Sequence, residues 1–387
     1  MSTADAGMRV AKETDAPLEE FSLRDPYFAW QEREGVLVIR DFAFENLSKV
    51  ELGPWERKGG LGAIINIPND HLPNDGHIIE IKPGGKSEPE RHMYEETTYV
   101  IAGRGATSIW HDEAHKQTFE WQPGSLFSIP MNAWYQHFNA SGTEPARYIS
   151  VTNAPPTMRL FDDDDYVFNN PFQFKSRFAS QDDYFSGKGT LYKYRVWESN
   201  FVPNAPDMPL YSWKERGAGG INVSFRMGKN QLGSHISEFP VGTYKKAHRH
   251  GPGAHLIILS GEGFSMLWTK DDSSDRTKAD WKRGGMVIVP SDACWHQHFN
   301  TGPGRARYLA MHPGDQGAYS KISRAAGRRG NDVSIKEGGY QLEYEDEDRQ
   351  LHEIFEADLE RNGAPCLMKA FVPWCTGEVG PTEAKYT

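Results

Sequence analysis

The feature that most constrains this chain is that it repeats itself. With the numbering shifted by 158, His77 falls on His235, Ile78 on Ile236, Glu80 on Glu238 and Gly84 on Gly242. At the same shift Arg91 and His92 fall on Arg249 and His250, Gly103 and Gly105 on Gly261 and Gly263, and Trp110 on Trp268. One small insertion moves the shift to 161, where Gly124 matches Gly285 and Trp134-Tyr135-Gln136-His137-Phe138-Asn139 matches Trp295-His296-Gln297-His298-Phe299-Asn300. At a shift of 160, Ala146-Arg147-Tyr148 matches Ala306-Arg307-Tyr308. Matches that keep this order define two copies of one domain, residues 60–155 and 218–315. That leaves an arm with a short helix (1–59), a linker (156–217) and a C-terminal extension (316–387).

Each copy reads as β. TTYVIAGRGATSIW and HLIILSGEGFSMLW are short apolar runs broken by Gly-x-Gly turns, and PGSLFSIP and GGMVIVP are short strands that end at proline. Helical periodicity is weak, and so many short strands in so few residues predict a sandwich or barrel. Outside the copies, RDPYFAWQEREG predicts a short helix. In EDRQLHEIFEADLERNG the apolar residues Leu351, Ile354, Phe355 and Leu359 predict an amphipathic helix stopped by Gly363, packing on a barrel or on a partner subunit. The four aspartates of LFDDDDYVFNNPFQFKSRF predict a solvated turn rather than a cation site.

A formal net charge of −10 without a basic stripe argues against nucleic acid. No stretch approaches the ~18–20 apolar residues of a membrane helix. The polar first twenty residues lack the apolar segment of a signal peptide and read as an arm. Three widely spaced cysteines, Cys294, Cys366 and Cys375, give no disulfide framework and fit a reducing cytoplasm, with Cys294 as a small buried thiol. The flanking arms suggest a homo-oligomer.

The chemistry concentrates in the second copy. His248 and His250 are two apart and share a strand face, His255 follows a Gly-Pro-Gly bend, and His296 and His298 are again two apart. Five of the chain's fourteen histidines thus lie in two short segments. Neutral imidazole is the commonest protein ligand for divalent transition metals. Three or four inward histidines make a metal site with positions open for water, oxygen or substrate.

These fragments resemble the cupin superfamily. Its first motif spaces a glycine, HxH, a glutamate and a second glycine, and Gly242, His248, His250 and Gly261 fit it. Its second motif is fitted by Gly285, Pro290, His296 and Asn300, with one extra residue after the proline. The resemblance implies an all-β chain: two tandem double-stranded β-helix (jelly-roll) barrels with short flanking helices. It implies His248, His250 and His296 as metal ligands. His255 stands where the family's glutamate would be and is expected as a fourth ligand or catalytic group. His298 is expected to act in proton transfer, with ligation as an alternative. In the first copy Glu90 and Tyr135 replace two of the motif histidines. A barrel kept for packing is expected there, although His92, Glu96 and His137 offer a two-His-one-carboxylate alternative. Glu80, Glu238, the Arg-Tyr pairs and His-Phe-Asn recur in both copies and are expected to serve the fold. Trp268 and Trp295 are expected in the aromatic core rather than lining a pocket.

AHRH, SGEG and WHQHFN are similar to motifs of the gentisate and 1-hydroxy-2-naphthoate dioxygenase group. That implies Fe(II), molecular oxygen and a small, oxygenated, aromatic substrate. The ligands alone do not exclude Mn, Zn or Ni. The alternatives are a non-redox lyase, decarboxylase or isomerase, and a binding protein without chemistry.

Overall fold

A computed structural model describes residues 24–68, 72–250, 253–270, 273–291, 294–313, 330 and 332–377. The N-terminal arm expected over the first twenty residues lies outside the described residues. The expected pair of barrels is present. In the first, strands Gly60–Asn66, Asp75–Ile81, Ala146–Thr152, Glu96–Ala102 and Leu126–Ile129 lie side by side, and a second sheet of Trp134–Asn139, Gly105–Trp110 and Gln117–Trp121 faces them. The second barrel repeats this order with Ile221–Arg226, Gly233–Phe239, Ala306–His312, Ala254–Ser260 and Met286–Val289, closed by Thr277–Lys282, Glu262–Trp268 and Trp295–Asn300. The registers repeat as well: Trp134 pairs with Trp110 and Asn139 with Gly105, as Trp295 pairs with Trp268 and Asn300 with Gly263.

The glycines of the repeated Gly-x-Gly turns explain themselves sterically. Gly103 and Gly261 sit at φ +78° and +80°, a region that favours glycine. A Cβ on Gly105 or Gly263 would stand 2.0 or 1.9 Å from the carbonyl oxygen of Phe138 or Phe299.

The barrels are interlocked. Ala43–Phe44, which precedes the first barrel, adds a strand to the large sheet of the second. Phe201–Val202, from the linker, adds one to the large sheet of the first. The two segments are related by the same shift of 158, so the structural repeat begins before residue 60. Between the large sheets a single apolar core joins Ile65, Ile79 and Ile149 of one barrel to Ile257, Leu259, Leu309 and Met311 of the other.

The short N-terminal helix is Pro26–Glu34, capped by Asp25 and ended by Gly35. The aspartate run is not simply a turn. Asp163 caps a short helix, Asp164–Asn169, by accepting from the Tyr166 N–H, and Asp164 pairs with Arg33. The C-terminal helix is Arg349–Asn362, with Gly363 in the left-handed region at its end. Leu351, Phe355 and Leu359 are buried with Phe264, Trp268, Trp295 and Phe299, so the helix packs on the outer face of the second barrel's small sheet. The tryptophans thus lie in the core, as expected. Among the described residues no helix is long and apolar enough to cross a membrane.

Candidate metal centre

Strand alternation decides which side chains enter the second barrel. On Trp295–Asn300 the odd residues Trp295 and Phe299 face the C-terminal helix, and His296 and His298 face the interior. His248 is bridged to His296 by paired backbone hydrogen bonds of 3.0 and 2.9 Å. The ring centroids of His248 and His250 lie 4.0 and 4.8 Å from that of His296. A donor atom of each of these three residues lies within 4.8 Å of the others. The His296 Nδ1–H is held by the Cys294 carbonyl at 3.0 Å, which leaves Nε2 bare for a metal. Burial, reinforced by Arg216 and neighbouring histidines, holds His248 well below the usual histidine range, and burial and His298 do the same for His296. Both are therefore neutral at physiological pH, the form that ligates. The donor chemistry fits a divalent transition metal.

His298 lines the same cavity but is not one of the three. Its Nδ1 bonds the Ser265 hydroxyl at 2.8 Å, and that hydroxyl also accepts from the Trp281 indole. The first barrel builds the same triad from His137, Thr107 and Trp121, with 2.6 and 2.9 Å contacts. The fold thus fixes this histidine's orientation in both barrels.

His255 is placed elsewhere, which corrects the expectation that it is a ligand or catalytic group. It is fully buried with Ile257 and Leu259 on the face that packs against the first barrel. Its Nδ1 meets the Asn74 amide at 3.1 Å, and its Nε2 approaches Gly76. The position that enters the cavity is Ala254. At the shift of 158, Ala254 lies on Glu96, so the carboxylate position of the motif is filled by a methyl group.

The first barrel answers the same problem differently. His92, Glu96 and His137 do not converge as a group of metal donors. The His92 ring is engaged at both nitrogens, by the Tyr94 carbonyl (2.8 Å) and by Glu96 (2.9 Å). The Lys58 ammonium pairs with Glu90, and the Tyr135 hydroxyl lies 2.5 Å from Glu90 and 3.0 Å from Glu96. A lysine therefore supplies the buried positive charge that the carboxylates need. His137 is buried, and burial lowers it to about 4.

Sequence reasoning missed the second barrel's counterpart of Lys58. The shift of 158 lays Trp55-Glu56-Arg57-Lys58-Gly59 over Trp213-Lys214-Glu215-Arg216-Gly217. Arg216 is 1% exposed, lines the histidine cavity and stacks over Trp213 at 4.7 Å, as Lys58 sits over Trp55 at 5.6 Å. His235, His312, Asn222, Tyr308 and Asp332 also line it, and Asp332 accepts from the Trp213 indole. Behind the cavity, Lys245 bonds Ser237 and the Tyr308 hydroxyl. Burial and then Arg216 drive its amine well below the usual lysine range. The shared Arg–Glu pairs and asparagines hold the fold, as expected. Arg147 and Arg307 pair with Glu80 and Glu238, and Asn139 and Asn300 tie down three carbonyls each.

Residues 77–152 match the family model described as a cupin domain. No curated protein matches the chain. Solved structures that align with it include oxalate decarboxylase from Bacillus subtilis at pH 4.6 (15% identity, 72% of this chain and 77% of that chain covered, TM-score 0.46). A mutant of the same enzyme aligns with 16% identity over 72% and 78% of the two chains, at a TM-score of 0.47. Both identities are too low to carry side-chain roles across.

Proposed function

We propose that this two-barrel cupin-fold chain is a metal-dependent enzyme whose second barrel acts on a small, carboxylate-bearing metabolite by non-redox chemistry, as a lyase, decarboxylase or isomerase. The observation that carries this reading is the cavity itself. It holds about 60 Å³ beside the three histidines and Arg216. An apolar cavity of roughly 150 Å³ is what accepts a benzene ring. The described cavity is thus sized for a few heavy atoms, which favours a short-chain acid over an aromatic substrate. An arginine held in such a space recognises a carboxylate through two parallel hydrogen bonds.

His248, His250 and His296 would hold the metal. A divalent ion there supplies Lewis-acid polarisation of a substrate oxygen. Arg216 binds and orients the carboxylate, and Trp213 packs against the guanidinium. His298, held through Nδ1, presents Nε2 to the cavity and exchanges a proton with the substrate. Burial, then Lys245 and Arg216, keeps it well below the usual histidine range, so it begins as a base at neutral pH. Three imidazoles without a carboxylate do not select one ion, so Mn, Zn, Ni and Fe(II) remain in play.

The all-imidazole set also fits the second reading, an Fe(II) dioxygenase that takes molecular oxygen. Metal content and turnover decide between them. His248→Ala is expected to lose one metal equivalent and all turnover, with His92→Ala keeping its metal. Short mono- and dicarboxylates are expected to turn over under argon as in air. Undiminished metal in His248→Ala would put the site in the wrong place. Turnover confined to hydroxylated aromatic acids, with matching oxygen uptake, would establish the dioxygenase instead.

A further inference from the structure

We propose a second metal site, a zinc clamp in the C-terminal extension formed by His352, Glu356, Cys366 and Cys375. Donor atoms of these four residues all lie within 4.8 Å of one another, and the group is separate from the barrel histidines. His352 and Glu356 are one helical turn apart on Arg349–Asn362, so they share a face. Gly363 then ends the helix and turns the chain back, bringing Cys366 and Cys375 over that face. Sequence spacing hid this set, since no CxxC or HxH marks it.

The distances suit a tetrahedral ion better than a disulfide. The two sulfurs are 3.4 Å apart. A disulfide needs about 2.05 Å. Two thiolates on one tetrahedral zinc, each about 2.3 Å from it, stand roughly 3.8 Å apart. The sulfurs therefore need only a few tenths of an ångström to open around zinc, against more than an ångström to close into a bond. Two sulfurs, an imidazole and a carboxylate form a donor set that suits zinc.

The histidine is prepared for this role. His352 is 3% exposed, and its Nδ1 lies 3.0 Å from the Tyr244 hydroxyl, which itself donates to Glu347. With Nδ1–H directed to that hydroxyl, Nε2 is the nitrogen left to meet the other three donors. Nε2 is paired with a Glu356 oxygen at 3.0 Å, a contact that an ion held by both groups would replace. A ligating histidine whose other nitrogen is fixed by a polar neighbour is the usual arrangement at metal sites.

The clamp also has a place in the architecture. As far as residue 377, the segment after the helix is built from short turns, Met368–Ala370 and one closed by the Cys375 N–H on the Val372 carbonyl. It presses on the barrel: Leu367 N–H donates to the Gly242 carbonyl, and a Cβ on Gly242 would meet the Pro365 oxygen at 1.9 Å. Glu347 in turn accepts from Gln297, which lies between His296 and His298. A zinc that ties the helix to this segment would brace the strand that carries two cavity histidines.

The test uses reduced full-length protein carrying His248→Ala and His296→Ala, so that the barrel site cannot contribute. Equilibrated with Zn(II) and desalted, it is expected to retain one zinc per chain by elemental analysis, with both extension thiols shielded from a thiol reagent until a chelator is added. Adding Cys366→Ser and Cys375→Ser is expected to abolish that zinc. Should the serine variant fail to fold, His352→Gln is expected to weaken zinc binding by about 10-fold or more. Co(II) in place of zinc is expected to show thiolate-to-metal charge transfer. Failure to retain zinc, a cobalt spectrum without sulfur ligation, or a Cys366–Cys375 disulfide in the reduced preparation would each overturn the proposal.

Discussion

Replacing Lys58 by methionine should destabilise the chain severely, although the residue lies far from the candidate metal centre in sequence. Lys58, Glu90 and Glu96 are 2%, 7% and 1% exposed, so none can turn to water for compensation. Without the ammonium, Glu90 keeps only the Tyr135 hydroxyl, which it shares with Glu96, while Glu96 retains His92 and the Thr98 hydroxyl. Breaking a buried pair by removing one partner costs about 3–5 kcal/mol, a large part of a total stability of roughly 5–15 kcal/mol. The pH dependence carries the same signature. In the native chain burial raises Glu90, but Lys58 and His92 outweigh it and hold the carboxyl below the usual range. Its contribution is thus present above the ordinary glutamate pKa and is lost only as pH falls through the lowered value. In Lys58→Met the sign reverses: burial and Glu96 hold Glu90 above its ordinary value, and the folded state is penalised at neutral pH. The deficit should be about 3–5 kcal/mol at pH 7.5 and should shrink on acidification toward pH 5, by at most about 1.4 kcal/mol per unit. Urea unfolding followed by tryptophan fluorescence at several pH values measures it. Lys58→Met/Glu90→Gln, which removes both charges, should recover most of the loss. A deficit under about 1 kcal/mol at pH 7.5, or one that does not change with pH, would refute the view that lysine stands in for a metal ion here.

Three further outcomes follow from the second barrel. Arg216→Gln should keep the barrel's metal but lower kcat/KM for a carboxylate substrate by about 10–150-fold, mainly through KM, as a charged hydrogen bond is worth about 1.5–3 kcal/mol; loss of metal would instead make Arg216 a support for the ligands. His255→Leu should leave metal content and turnover intact and change stability alone, checked by elemental analysis beside thermal melting. Metal-stripped protein should lose stability as pH falls below about 6.5, because the unfolded chain takes up protons that His235, His248, His296 and His298 refuse while folded; up to about 1.4 kcal/mol per histidine per pH unit makes the slope steep, and a flat profile in a urea titration would contradict it.

Much of this was readable in advance because duplication supplies its own alignment. The order of matches located both barrels, the alternation in WHQHFN pointed His296 and His298 inward, and the apolar spacing after Asp348 found the C-terminal helix. His255 shows where such reading stops. A strand's two faces are distinguished by one residue of register, and the Gly-Pro-Gly bend before it hides that register. Comparing with the first copy would have helped, since Glu96 lies on Ala254 and only Thr97 on His255. Arg216 carries no metal-ligand signature and precedes the repeat as bounded at residue 218, so only the Trp-x-x-cation-Gly match at the same shift marks it. The exchange of Ala43–Phe44 and Phe201–Val202 between barrels could not be read, because a two-residue edge strand carries no periodicity.

The two cations explain why the copies diverged together rather than position by position. Each barrel receives one buried positive charge from the same loop, stacked over the same tryptophan. In the first barrel that charge is met from within by Glu90 and Glu96, and Lys58, Tyr135 and His92 already engage those carboxylates, so the set is closed. In the second, the motif positions hold neutral imidazoles and Ala254, and Asp332 is the carboxylate in the lining. A divalent ion added there leaves the metal and Arg216 together with more positive charge than Asp332 offsets. Buried charge of that size is tolerated only when paired. The missing negative charge is then most economically supplied by the substrate, which is the electrostatic reason to look for a small acid, and for a dianion before a monoanion. Arg216→Glu inverts that balance: it should hold the metal more tightly and bind the acid far more weakly. Unchanged affinity for both in equilibrium dialysis would show that charge is not what distinguishes the two barrels.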